Sequence, residues 1–185
     1  NYWCDYPPGY IYILAAIGHV RNLLNLQHGS GAFLLLLKLP AIIADILSAL
    51  VLFFIARKKI AERPAMVLSI LYLFNPGVIL NSAVWGQADS VAALLVLLVI
   101  YFIIDDKLWL SSIILGYALM VKLQTGFVGF ILLYALVQKR DLKTWLLCVG
   151  GGLAALIFTI LPFNMGKDIF WIVELVTKTM GGYQY

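Results

Sequence analysis

The chain has 185 residues, 63% of them hydrophobic and 12% charged, with a mean hydropathy of +0.98 and a net charge of +4. A soluble domain carries roughly a quarter charged residues, so this composition belongs in a bilayer. The basic excess lies in short loops between apolar runs, which reads as membrane topology and excludes a nucleic-acid surface.

Residues 1–31 begin with a polar, aromatic-rich stretch containing Tyr2, Trp3, Tyr6, Tyr10 and Tyr12, the belt expected at headgroup depth. Residues 9–26 then pass from an apolar half to one holding His19, Arg21, Asn22 and Asn25, which fits a helix lying in the interface better than a span. Residues 32–56 are long enough to cross at ~1.5 Å per residue. They end at the basic loop 57–63, so this span runs inward. Pro64 suits the first helical position, and residues 65–80 return outward. Residues 91–104 go back in and stop at Asp105-Asp106-Lys107.

Residues 108–137 would stretch ~45 Å as one helix, beyond a ~30 Å hydrocarbon core. One crossing would also put the basic loop 139–143 outside. Two short helices meeting at residues 122–126 restore the charge rule. Residues 144–163 lead outward, and 164–185 are extracytoplasmic, with 169–176 lying against the membrane. The prediction is an all-α polytopic membrane helix bundle, a single transmembrane domain over 1–185. It has about six transmembrane helices, at 32–163, plus one interfacial juxtamembrane helix in the outer loop 1–31. Cys4 and Cys148 fall near opposite faces and are not expected to pair. The chain starts at Asn1 without a leader pattern and reads as an internal piece of a longer protein.

Between these runs, residues 75–90 read N-P-G-V-I-L-N-S-A-V-W-G-Q-A-D-S. Polar residues and Pro at membrane depth belong where protein or a polar cavity surrounds them. Asp89 precedes a helix and is either its N-cap or a carboxylate presented to a cavity. Gln87 adds a donor and acceptor, and Trp85 a ring for stacking on a sugar or lipid or simply for the interface. Lys122, ~21 Å from the inner end of its helix, is either a snorkelling lysine or a fixed cation for a lipid-linked phosphate. Asp45 is mid-span, two turns from Lys38, and is expected to pair with a group on another helix, in a structural role. His19 and His28 lack acidic or cysteine neighbours at metal-ligand spacing, and Gly150-Gly151-Gly152 reads as close helix packing.

The order Asp5-Tyr6-Pro7-Pro8-Gly9-Tyr10, Lys38-Leu39-Pro40, Ala44-Asp45, Asn75-Pro76, Trp85-Gly86-Gln87-Ala88-Asp89-Ser90 and Lys122-Leu123-Gln124 resembles the bacterial GPI-mannosyltransferase-like proteins of the GT-C superfamily. The resemblance covers nearly the whole chain. It implies a GT-C-like bundle, with the Pro-Pro-Gly-Tyr helix juxtamembrane in the first outer loop. It implies an enzyme of the bacterial plasma membrane that takes a sugar, such as mannose, from a polyprenyl-phosphate donor on the extracytoplasmic side. The acceptor would be a lipid, glycan or protein. The family pattern also puts an acidic base early in that outer loop, upstream of Asn1; Asp5 is its substitute here.

Glycosyl transfer needs a carboxylate to deprotonate the acceptor and a cation for the departing phosphate. Asp89, or the loop acid represented by Asp5, would be the first, and Lys122 the second. Gln87, Gln124, Trp85 and Tyr6 would bind and orient substrate. No metal cluster stands out, and the resemblance leaves open whether a divalent metal ion takes part. A transporter or lipid-linked-sugar flippase is the rival class, since broken helices with polar residues at mid-depth mark it equally; a non-catalytic scaffold subunit is the third.

Overall fold

The computed structural model describes residues 7–163, and all its regular elements are helical. The expectations for Asp5, Tyr6, Cys4 and the 169–176 segment lie outside the described residues. Helix α1 is Pro8–Leu23, α2 Gly31–Arg57, α3 Glu62–Leu73, α4 Pro76–Ile79, α5 Asp89–Ile104, α6 Leu108–Val121, α7 Gly129–Lys139 and α8 Leu142–Ile160. A π-helical turn, Leu80–Trp85, follows α4, and a 3₁₀ stretch, Leu123–Val128, joins α6 to α7.

Helices pack in the order α3, α2, α5, α6, α8, with α7 against α5, α6 and α8, and α1 laid across α2, α6 and α8. In hydrocarbon, close backbone approach replaces the hydrophobic drive, so small residues mark the tightest contacts. A Cβ on Gly116 would stand 2.5 Å from the Gly152 carbonyl oxygen, and one on Gly152 would stand 2.7 Å from Ser112 Oγ. Ser112 Oγ also donates to the Cys148 carbonyl at 2.5 Å, tying α6 to α8 in the dry interior. The glycine run therefore packs as expected at Gly151 and Gly152, while Gly150 faces open space.

The basic and acidic loops meet at one end of the bundle. Lys58, just past α2, reaches Asp105 at 2.5 Å, and Lys107 reaches the same carboxylate at 2.7 Å. Lys139 at the end of α7 pairs with Asp106. This convergence agrees with the charge-based reading that puts these turns on one side. The two ammonium groups, Lys107 foremost, hold the Asp105 carboxyl down to about 2. Because that value lies below the ordinary ~3.9 of an unfolded Asp, the pairing stabilises the fold above about pH 4 and is lost as pH falls towards 2. The thermal midpoint should drop across that window, and Asp105→Asn should flatten the drop.

Helix positions follow the sequence reading with local differences. Pro64 falls at the third helical position, because α3 begins two residues earlier at Glu62; its missing N–H would have no helical partner there either. Tyr10 is buried at 3% exposure in a core with Ala44, Ala88, Val91 and Val121, not in the aromatic belt. By length and apolar composition, Gly31–Arg57 and Leu142–Phe163 suffice to cross a membrane. Glu62–Leu73 and Pro76–Trp85 make a third crossing if their 45° bend lies within one span. Helices α5 and α6, with 16 and 14 residues, reach only ~24 and ~21 Å, short as the breaks in the sequence lead one to expect. Their shortness follows from polar breaks at both ends.

Candidate active site

At the bundle end away from those loops, α5 begins and α6 stops. Helix α6 is cut at Lys122, whose backbone turns extended at φ −157° and ψ 117°. Thr125 secures the break, its N–H and Oγ1 both donating to the Lys122 carbonyl at 3.0 and 2.9 Å. On the other side of the site, the Gln87 N–H donates to the Asn81 carbonyl at 3.1 Å, closing the loop before α5. Gly86 adopts φ +74°, a conformation that favours glycine, and a Cβ there would press on Lys38 Cγ at 3.0 Å.

Lys122 Nζ pairs directly with Asp89 Oδ1. The two side chains retain 33% and 47% exposure, so the pair sits at an accessible edge. Where water reaches it, an ion pair this exposed contributes only about 0–1 kcal/mol to stability. The N-cap expectation for Asp89 is corrected. Ala88 occupies the cap position without a side-chain cap bond, and Asp89 is the first helical residue, where its charge still suits the helix N-terminus. Its carboxylate turns to Lys122 because an ammonium competes better for it than the amides of the next turn.

Asp89 also lines a cavity of about 390 Å³ together with Asp45, Tyr72, Asn75, Asn81 and Ser90. The bend after α3 opens it: Asn75 caps the short α4, accepting from the Gly77 N–H at 2.8 Å, and the π-turn carries Asn81 inward. Asn81 Nδ2 lies 3.4 Å from Ser90 Oγ. Asp45 departs from expectation. Among the described residues no ion pair forms to it, and its Oδ2, in a residue 4% exposed, has no hydrogen-bond partner. Lys38, the nearest cation along α2, runs across Gly86 instead.

The structure thus joins Asp89 and Lys122, 33 residues apart. Gln87 is half-buried beside them; Gln124 is exposed and Trp85 is 76% exposed, and among the described residues none of the three makes a side-chain hydrogen bond. Tyr72 and Asn81 were not singled out from sequence. Asn81 stood inside the polar interruption and could have been; Tyr72, in an apolar run, gave no signal.

Helix α1 buttresses the site. Tyr117 of α6 donates to the Gly9 carbonyl at 3.1 Å, and Tyr12 to the Thr159 carbonyl at 2.9 Å. A Cβ on Gly9 would lie 2.6 Å from the Met120 carbonyl oxygen and 2.9 Å from the Val121 nitrogen. The Pro-Pro-Gly-Tyr segment therefore lies directly on the turn preceding Lys122.

The pattern of the family described as dolichyl-phosphate-mannose-protein mannosyltransferase matches residues 5–163, a stretch that includes the Gly9 contact, both walls of the cavity and the ion pair. The chain belongs to this family. GPI mannosyltransferase 1 of Candida albicans is 33% identical over 89 residues, 46% of this chain and 22% of the relative. The chain spans about a fifth of the length of that relative. No solved structure matches it. The mannosyltransferase resemblance carried by the sequence motifs agrees with both matches.

Proposed function

We propose that this chain is part of an integral-membrane glycosyltransferase that moves a hexose, mannose in the first instance, from a polyprenyl-phosphate donor to an acceptor hydroxyl. The acceptor is a lipid, glycan or protein hydroxyl, and the reaction takes place on the extracytoplasmic face of the plasma membrane. The observation that carries this reading is the exposed Asp89–Lys122 pair, set where two short helices end on the side away from the basic loops.

In the resting pair each charge neutralises the other. A lipid phosphate entering the site takes Asp89's place at Lys122, where a compact ammonium suits a phosphate oxygen. The carboxylate is then free to accept a proton. The acceptor oxygen attacks the anomeric carbon, and the bond from that carbon to the phosphate oxygen breaks. The electron pair stays on the phosphate, facing Lys122, and the hydroxyl proton passes to Asp89. Trp85, Gln87 and Gln124, a ring and two amides without side-chain hydrogen bonds among the described residues, would hold the sugar or the phosphate. Asp5, two residues before Pro7, is the alternative base.

Oriented membrane vesicles from cells making the full-length protein test this. Labelled polyprenyl-phosphate mannose should yield a mannosylated product when the outer face is supplied. Product formed only from the cytoplasmic face would reverse the sidedness. Movement of the labelled lipid across the bilayer without product would make the protein a flippase.

A further inference from the structure

The segment joining α1 to α2 holds a second polar pocket, at the end of α2 opposite Lys58. This open pocket of about 450 Å³ is lined by Arg21, Asn22, Asn25, Leu26 and Gln27. Arg21 is fixed on two sides. Its Nε donates to the Leu26 carbonyl at 3.2 Å, and the Leu26 N–H donates back to the Arg21 carbonyl at 3.1 Å. Its guanidinium lies over the Phe33 ring, 5.5 Å from the centroid. Phe33 is itself held, its N–H donating to Ser30 Oγ at 3.2 Å and its ring packed edge-on against His28. Among the described residues the terminal guanidinium nitrogens bond nothing, and no carboxylate pairs with Arg21. Residues 6–44 contain no Asp or Glu, whereas His19, Arg21, His28 and Lys38 are basic. A cation in the last turn of α1 offsets the helix dipole by charge alone. That role calls for neither the reciprocal bond nor the stacked ring. A fork held in place with its outer nitrogens unengaged is suited to receiving an oxyanion.

The apolar side chains beside the pocket indicate the source of that anion. Leu23 and Leu24, next to Asn22 and Asn25, are 80% and 61% exposed. On a membrane protein, leucines this exposed at the end of an interfacial helix meet acyl chains, while the charged and amide groups beside them meet headgroups. We propose that this pocket binds the headgroup of an anionic phospholipid. Its phosphodiester sits on the Arg21 fork, and its headgroup hydroxyls bond the amides of Asn22, Asn25 and Gln27. A volume of about 450 Å³ falls within the ~300–1,000 Å³ of small-molecule pockets. The pocket is separate from the Asp89–Lys122 pair. Helix α1 touches the turn before Lys122 at Gly9, and Arg21 stands ~18 Å further along the same helix. One phosphate cannot serve both, so the ligand is a resident lipid and not a reactant. Held here, it anchors the far end of the helix that presses on α6. The inference stands apart from the glycosyl-transfer reading.

Native mass spectrometry of the full-length protein tests this, after extraction in mild detergent from vesicles of mixed phosphatidylglycerol and phosphatidylcholine. Wild type should retain phosphatidylglycerol in preference to phosphatidylcholine. Arg21→Gln should lower that retention about tenfold or more, as expected on losing hydrogen bonds from a charged group. Arg21→Lys should fall between the two, because an ammonium keeps the charge without the fork. Arg21→Gln also removes the bond to Leu26, so a variant that leaves this brace intact is measured beside it. That variant, Asn22→Ala with Gln27→Ala, should weaken retention about threefold or more. Lys59→Gln removes an exposed cation past the other end of α2, far beyond the ~8 Å over which exposed charges act, and should change retention less than about twofold. Equal retention of both lipids by wild type overturns the pocket. So does an equal loss in Lys59→Gln and Arg21→Gln, which would reduce the effect to general surface charge. Unchanged retention in both Arg21→Gln and the double amide variant overturns it as well. Displacement of phosphatidylglycerol by inorganic phosphate would make the ligand a free anion, and retention of polyprenyl phosphate in its place would make it the donor. Either result overturns the phospholipid.

Discussion

Lys122→Met should lower turnover by about 10²–10³, the scale on which one preorganised charge-stabilising group acts in a transition state, while leaving the protein in the membrane at a normal level. Methionine keeps most of the stem volume and removes only the charge. The loss should appear in kcat more than in KM, because negative charge on the leaving phosphate grows as the sugar bond breaks. Asp89→Asn should cost about 10²–10⁴ if the carboxylate takes the acceptor proton. Neither change should move the unfolding midpoint much, since the pair is a third to a half exposed and contributes about 0–1 kcal/mol. The double exchange Asp89→Lys with Lys122→Asp separates chemistry from bracing. It restores an ion pair but puts each charge on the wrong partner, so it should not restore transfer. Recovery of transfer in the exchanged protein, or near-normal transfer in both single variants, would remove this pair from the reaction.

What the sequence conveys about this fold is governed by where the chain has to break. Charges at 105–107 and 139–141 cannot lie in hydrocarbon, so the ends of α5 and α7 were readable, and with them the common end at which Lys58, Lys139 and the two aspartates meet. The break at Lys122 was readable for a different reason, as 30 apolar residues are too long for one crossing. The Asp89–Lys122 pairing followed only as shared membrane side, because no periodicity links positions on two helices. The cavity was less legible still. It depends on the 45° bend at Asn75-Pro76 and on the π-turn after it, which turn Asn81 towards Asp89. Asparagine before proline signals a helix start; it does not give the angle between two helices. Asp45 was expected to find a cation because a lone carboxylate in a span usually does. Here its surroundings are carboxamides and hydroxyls, which a composition-based argument cannot rank against a distant lysine.

Gly9→Ala should be the most damaging single-methyl change at the site, although Gly9 itself is remote from the reacting groups. Its missing Cβ would lie 2.6 and 2.7 Å from the Met120 carbonyl oxygen and carbon, both backbone atoms of the last turn of α6. Flexible side chains can give way; a helix backbone cannot. The methyl would therefore push α1 off α6 and stretch the 3.1 Å bond from Tyr117 to the Gly9 carbonyl. Overpacking of this kind costs about 1–3 kcal/mol, a loss that should appear as a lower thermal midpoint in detergent. The larger effect should be on transfer. Lys122 is the residue directly after Val121, whose nitrogen the same methyl would crowd at 2.9 Å. A displacement of about 1 Å at a charge-stabilising group is enough to lower a rate about 10²-fold. Gly18→Ala is the matched control, because a Cβ at Gly18 meets nothing within 4 Å on the same helix. It should leave transfer unchanged and raise helix stability slightly. If Gly9→Ala matched Gly18→Ala in both stability and turnover, α1 would not be what holds the end of α6, and the Pro-Pro-Gly-Tyr segment would need another physical explanation.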